Sequence, residues 1–456
     1  MIIKPLIKGE PCIVKKHASH MAGNQLVTGG RYAAVFAGAV AGGMGVGFLA
    51  LRAYRTLSDL ATTLLTPQPI DRHAARRLIN RLQSLFVDRL EEITLPDGRS
   101  SRGEFAQVSW LRSGGKHGGG VRFELEDSAL FNRVSINASG VHYDTATKAP
   151  IDSATALSVI IHPRNPHAPS MHLHVSLVEP RDLPAYWRLI ADLNPSVEAP
   201  AAAAAFESAL RRAVRSETLY TAGSVFGGRY FYIPDRRRTR GAAHCFIAKL
   251  TDAEMKAISP YLTRNCASTA RATEEYVTHF VKRVLDAYVG IVEEALHAHP
   301  DSQITEAHAS QLAFHTLYLF QVLTLDRGTT QGLLSHMDND LGTLGSLPTM
   351  VDRKLLEQWL LEIPKPRDEL LRRILAELPS AGASDGASDG PTAPVRITGA
   401  VRGALADVLR RYYREDKERI EHQAEMELDW WKANGTKALK NDRQWWWNKV
   451  YPEKFP

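Results

Sequence analysis

The sequence predicts an α+β protein: a strand-rich middle flanked by amphipathic helices, one N-terminal transmembrane helix, and a helical, tryptophan-rich C-terminal tail. Three observations predict it. From Phe105 to Val178, apolar and polar residues alternate, β-branched residues are frequent and glycines cluster, which is the pattern of several strands joined by tight turns. Asp71 to Glu92 and Thr273 to Ala298 instead carry apolar residues at helical spacing. Tyr32 to Leu51 has no charged residue and lies between Arg31 and Arg52, long enough for the roughly 20 residues a bilayer requires. At 456 residues and 44% hydrophobic content the chain can bury a sizeable core, which excludes global disorder.

In chain order, residues 1–31 form a basic segment, with Lys4, Lys8, Lys15, Lys16 and Arg31 against Glu10. The positive-inside rule leaves this segment on the side of synthesis or the matrix. In the following run, Gly38 and Gly42, and Gly43 and Gly47, are four apart and give a smooth face for another membrane helix. The alternative is a cleaved targeting segment, although the run lies deep for a simple secretory signal. Residues 71–378 form the main domain. In it, Glu198 to Phe206 begins a helix or a linker, Tyr230 to Leu250 forms two strands around a basic turn, and Leu312 to Leu325 is a buried strand or helix. Residues 379–394, with a tandem GASD repeat, read as a flexible linker. Residues 395–456 begin as a long charged helix, Arg396 to Ala433, and contain Trp430, Trp431, Trp445, Trp446 and Trp447, which suit a membrane interface or a partner groove.

Charge and cysteine content exclude some classes. A net charge of +6 is modest for this length and is no nucleic-acid signature. Cys12, Cys245 and Cys266 are far apart, so neither a zinc ribbon nor a disulfide framework is expected. SGGKHGGG lacks the Lys-Ser/Thr ending of a phosphate loop. His162, His167, His172 and His174 have no carboxylate or cysteine at a ligand spacing, so they read as strand histidines with local partners and no metal is expected.

The most specific segment is Leu157 to Glu179, which contains HPRNPHAP and then a strand with His172 and His174 two apart. It resembles the hallmark strand of oxygen-dependent coproporphyrinogen III oxidases. Further blocks follow in that family's order: WLRSGGKHGGG from Trp110, FNRVSINAS from Phe131, YFYIPDRRRTRG from Tyr230, LDRGTTQG from Leu325, and Leu347-Pro348. The resemblance covers about Asp71 to Lys365.

The resemblance implies a large, flat antiparallel sheet flanked by helices, usually in a homodimer. It also implies oxidative decarboxylation of two propionates of a porphyrinogen with dioxygen as co-substrate and no metal or organic cofactor. A polyanionic substrate needs cationic clamps, for which bidentate Arg is suited. Carried over by position, Asp192, His162 and Arg164 are the catalytic candidates, with Asp192, in Ala-Asp-Leu-Asn-Pro, as the pyrrole-facing carboxylate. Arg240, Arg236, Asn165, His167, Asp326 and Arg327 are the substrate-binding candidates.

The departures from the family pattern are informative. Three glycines that precede its aspartate become Arg188, Leu189 and Ile190 here; two tyrosines after it become Ser196 and Val197. A glutamate in the basic turn becomes Arg238, Gly-Gly becomes Ala243-His244, Asp-Asp becomes Ala248-Lys249, and a later Gly-Gly-Arg segment becomes His336 to Leu341. Large side chains in place of glycine should narrow or close the slot beside Asp192, with Arg188 as a partner for its carboxylate.

The expected function is therefore a degenerate member of this family, anchored by a single span in the mitochondrial inner membrane. It would be an accessory subunit of a membrane complex of the respiratory class, contacting other subunits through the glycine-rich helix and the tryptophan-rich tail. The alternatives are an active oxidase of heme biosynthesis and a porphyrin or heme carrier.

Overall fold

The computed structural model describes residues 72–143, 151–181, 184–251, 254–255, 269–300, 305–326, 329, 344–365, 368–380, 394–416 and 419. The expected membrane span, most of the linker, Arg327, His336 to Leu341 and the tryptophan-rich tail lie outside them. Among the described residues no helix is long and apolar enough to cross a membrane.

Seven strands form one antiparallel sheet in the order β1-β2-β3-β4-β5-β6-β9. They are β1 (Ala106–Leu111), β2 (Gly118–Glu126), β3 (Phe131–His142), β4 (Ile151–Pro163), β5 (Ser170–Pro180), β6 (Tyr186–Asn194) and β9 (Ala243–Leu250). The first six pair with their sequence neighbours; between β6 and β9 the chain forms α2 (Pro200–Val214), α3 (Glu217–Tyr230) and a small hairpin, β7 (Tyr232–Ile233) and β8 (Arg238–Thr239). The alanine run thus starts a helix. Arg215 ends α2 with φ 58, and the Ser216 hydroxyl caps α3 by accepting from the Leu219 amide. Gly118 is required by close approach: at φ +89 its Cβ would stand 2.1 Å from the Gly140 carbonyl oxygen on the paired strand.

Period-two alternation gives the sheet two unlike faces. On one face, Ile136, Val159, Leu173, Leu189 and Ile247 are buried under α1 (Arg72–Glu91), α2 and α4 (Thr269–Ala298), which form the main core. The opposite face carries Asn137, Ser158, His172, His174, Arg188 and Asp192. A second core sits beyond its end: Ile160 packs with Phe314, Leu317 and Tyr318 of α5 (Thr305–Thr324), the helical outcome for the ambiguous apolar run. The same cluster includes β10 (Met350–Asp352), α6 (Arg353–Glu362), α7 (Asp368–Glu377), β11 (Pro394–Arg396) and α8 (Gly399–Glu415). β10 pairs antiparallel with β11, so the chain after the low-complexity segment docks back on the domain. The charged helix expected from Arg396 therefore begins later, where the Thr398 hydroxyl accepts from the Val401 amide.

Candidate active site

Strand β6 positions the central carboxylate. Trp187, Leu189, Ala191 and Leu193 point into the main core, so Arg188, Ile190, Asp192 and Asn194 occupy the polar face. Of the three side chains expected to fill the slot, Leu189 therefore does not reach it; it is fully buried on the far side of the sheet.

Asp192 sits directly across from His172 on β5 and His244 on β9. Its Oδ1 lies 2.7 Å from His172 Nδ1, and its Oδ2 accepts from Arg240 Nη2 at 2.8 Å and from Asn194 Nδ2 at 2.7 Å. The carboxylate has no exposed surface. Arg188, expected as its partner, is absent from this set: it lies opposite Ser176 and beside His174, with its Nε buried and unpaired. Burial alone would raise the Asp192 carboxyl, but Arg240 and His172 outweigh it and hold it far below the usual carboxylate range.

Arg240 is equally enclosed. Its Nη1 donates to Gln321 Oε1 at 2.7 Å, and its guanidinium lies 4.3 Å from the Phe231 ring centroid and 5.1 Å from that of Tyr318. Burial disfavours its charge, but the Asp192 carboxylate reverses that, and the net shift is upward. His162 joins through Tyr318, whose ring meets it edge-on at 4.7 Å. His162 Nδ1 bonds Ser170 Oγ at 2.8 Å and Nε2 lies 3.1 Å from the Ser346 carbonyl oxygen. Burial, with His315 next to it, keeps His162 neutral by lowering its pKa well below the usual value.

The polar face next to Asp192 is filled by an apolar group. Ile190 packs with Phe226, Phe231, Phe246 and Ala248, and Tyr230 leans on the group. Phe226 and Phe246 meet at 4.6 Å and Tyr230 and Phe246 at 4.9 Å, both edge to face. The Tyr230 hydroxyl donates to Asp326 at 3.1 Å, which brings that candidate to the rim of the centre.

The other candidates lie elsewhere. Arg164 is exposed and donates to the Ser128 carbonyl at 3.2 Å. Asn165 donates to the His299 carbonyl at 2.6 Å and accepts from the His167 amide at 2.9 Å, while the His167 ring stacks on His299 at 3.9 Å. Asn165 and His167 tie the turn after β4 to the end of α4, while Arg164 ties it to the turn between β2 and β3. His174 bonds Ser158 and Ser176. Arg236 pairs with Glu362 on α6 at 2.7 Å. It lines a cavity of about 720 Å³ between the β7–β8 turn, α5 and α6, and Asp192 is not among the residues around that cavity.

Asp192, His162 and Arg240 are thus brought together, with Asp326 at the edge; Arg164, Asn165, His167 and Arg236 are not. His172, Asn194, Tyr318 and Gln321 complete the centre and were not singled out for it. His172 could have been found from the strand register, because it faces Asp192 across one ladder step. Chemically, a carboxylate whose oxygens are both engaged and which has no exposed surface reaches no other molecule without first parting from Arg240 or His172.

Comparison with known proteins agrees with this fold. The family model described as coproporphyrinogen III oxidase matches residues 74–364. Coproporphyrinogen-III oxidase 1, chloroplastic, of Arabidopsis thaliana is 28% identical over 256 residues, which is 50% of this chain and 61% of the relative. The mitochondrial oxygen-dependent coproporphyrinogen-III oxidase of Rattus norvegicus is 26% identical over 268 residues, 54% of this chain and 56% of the relative. A Prochlorococcus marinus enzyme of the same name is 29% identical over 193 residues, 40% of this chain and 53% of the relative. The chain spans less than two thirds of the length of these curated relatives. It belongs to the coproporphyrinogen III oxidase family.

Proposed function

We propose that this member of the family no longer oxidises porphyrinogens and serves as an accessory subunit of a membrane complex, with a respiratory assembly of the mitochondrial inner membrane as the specific expectation. The observation that carries the loss of chemistry is the sealed Asp192: zero exposure, both oxygens bonded, and Ile190 with its aromatic neighbours in the adjoining space. Interiors at native packing density leave no slot for a macrocycle there. The tether rests on the uncharged run from Tyr32 to Leu51, and the partner role on its glycine face and the tryptophan-rich tail. The test is turnover of an anaerobically prepared porphyrinogen, followed by porphyrin fluorescence, with native electrophoresis of the source membranes alongside. Turnover no greater than that of Asp192→Ala, together with migration in a large assembly, is expected. A protein that migrates alone overturns the subunit role.

A second reading has its own support. Asp192, Arg240 and His162 persist as one connected buried network, which suits an active oxidase that uses dioxygen and opens its centre on binding. Turnover that Asp192→Ala abolishes would put this reading first.

A further inference from the structure

The family model ends at residue 364, yet the chain goes on to α7, β11 and α8, which join the second core. Two of these added elements meet a strap, residues 344–352, that reaches His162. Leu344, Leu347 and Val351 of the strap have no exposed surface and share their core with Val395, Ile397 and Leu405. β11 pairs with the strap from Met350 to Asp352, and the Ile397 amide donates to the Thr349 carbonyl at 2.8 Å. Nearer its start, the strap presents the Ser346 carbonyl to His162 Nε2 at 3.1 Å. A carbonyl only accepts, so the neutral His162 ring carries its proton on Nε2 and accepts from Ser170 through Nδ1.

The turn between β2 and β3 grips the strap and the added elements with the same two carboxylates. Asp127, at φ 52, accepts from Thr349 Oγ1 at 3.0 Å, and Asn132 donates to that hydroxyl at 2.6 Å and accepts from the Thr349 amide at 3.0 Å. Arg133, whose side chain is 1% exposed, donates through Nε to the Leu347 carbonyl at 3.2 Å and pairs through Nη1 with Glu126 at 2.8 Å. Arg396 on β11 pairs with both Asp127 and Glu126, and Arg402 on α8 lies 3.7 Å from Glu126 Oε2. Three cations thus share two carboxylates, and Arg402 is close enough to Arg133 to oppose its charge. The strap therefore has two fixings: an apolar core, and an ionic seam that holds against its own repulsion.

We propose that β11 and α8 are a latch on the buried centre: Arg396 and Arg402, through Glu126 and Asp127, clamp the strap that encloses His162, and loosening this seam uncovers His162 while the main core stays folded. The two cores make that separation possible. The strap, β11 and α8 belong to the second core, whereas Ile136, Val159 and Leu173 lie in the main core on the other face of the sheet. Local opening of the less enclosed unit is the ordinary way a folded chain exposes a buried group. The latch is read from the enclosure of His162 and not from turnover, so its test succeeds or fails separately from the loss of chemistry proposed above.

The 456-residue chain is labelled with diethylpyrocarbonate, which acylates neutral imidazole, and the rate at each histidine is read by mass spectrometry of its peptides. His162 is fully enclosed and held neutral by burial, so its rate reports access. In Arg396→Gln/Arg402→Gln that rate should rise roughly tenfold, the equivalent of about 1.4 kcal/mol. His174, bonded to Ser158 and Ser176 away from the strap, should keep its parent rate. Arg396→Gln alone, at a side chain 47% exposed, leaves Arg402 in place and should give a smaller rise of roughly two- to fivefold. Arg411→Gln, on the same helix but paired with Glu377 off the seam, should leave His162 unchanged. No rise at His162 in either seam variant overturns the proposal. So does a rise shared equally by His174, or one that Arg411→Gln reproduces, since either means general loosening.

Discussion

Two arginine-bearing regions lie at opposite ends of the range of burial, and the contrast shows what a cation's partner does for the fold. Arg240 is 3% exposed, tied to Asp192 and Gln321 and stacked between Phe231 and Tyr318. Arg237 and Arg238, one strand turn earlier, are exposed beside an open cavity. The residue type is the same, and so is its attraction to carboxylates. What differs is that Arg240 pairs with an anion on β6, whereas among the described residues the other two have no carboxylate partner. A cation enclosed with its partner contributes to folding; one exposed beside a cavity can be removed with little cost to the fold.

The comparison is broken most directly at Asp192. Replacing it with alanine leaves Arg240 buried and uncompensated, which costs about 3–5 kcal/mol for a buried pair. Asp192→Ala should lower the unfolding free energy by that amount in urea denaturation. Asp192→Leu combined with Arg240→Met should recover most of it, because removing both charges leaves none unpaired. A near-neutral effect of Asp192→Ala on stability, with turnover abolished, would show instead that the carboxylate is held for chemistry.

Much of this architecture was legible in the sequence. Alternation from Phe105 to Val178 marked the strands that became β1 to β5, helical spacing marked α1 and α4, and HPRNPHAP with the blocks around it identified the family. The closing of the space beside Asp192 was also readable, because Ile190 stands where the family has glycine. Three details were not. Glycines have no facing, so three in a row give no hint that Leu189, as the middle of its triplet, falls on the opposite side of the sheet; only the strand's period decides it. The partner of Asp192 was assigned to nearby Arg188, whereas the ladder brings His172 across from it and α5 brings Gln321 against Arg240. Contacts over 20 and 81 positions of sequence depend on register and helix docking, which local patterns do not encode. The helix α3 was missed because Gly223, Gly227 and Gly228 weaken its signal; they are there to let it lie against Cys245 and His244 of β9.

A second prediction uses pH to sharpen the picture of the sealed region. His315 is 2% exposed, its ring lies 5.1 Å from that of His162, and burial lowers its pKa to about 3. Its unfolded value is about 6.5. Below that pH the unfolded chain takes a proton that the folded chain refuses, so stability falls as pH falls, by about 1.4 kcal/mol per unit for this one group. The effect is absent above about pH 6.5 and runs down towards the folded value near 3. His315→Phe removes the titrating group but keeps a flat ring. Unfolding free energies at pH 7, 6 and 5 should then decline less steeply than in the parent chain, by about that slope. Parallel slopes in the two proteins would mean that water or a proton reaches His315 in the folded state.

The smallest stability effect is expected at the open end of the comparison, where Arg237 holds φ 49. A non-glycine residue in the left-handed region carries a penalty of roughly 1–2 kcal/mol. Glycine removes that penalty but adds chain entropy to the unfolded state, worth roughly 0.5–1 kcal/mol. The two terms oppose each other, and the exposed side chain has no described carboxylate to lose. Arg237→Gly should therefore change the unfolding free energy by no more than about 1 kcal/mol in either direction, measured in urea denaturation. This contrasts with Asp192→Ala, where the buried Arg240 is left uncompensated and stability falls. If Arg237→Gly instead cost as much stability as Asp192→Ala, the basic turn would be as structural as the sealed pair, and the division between a cation that holds the fold and cations that do not would fail.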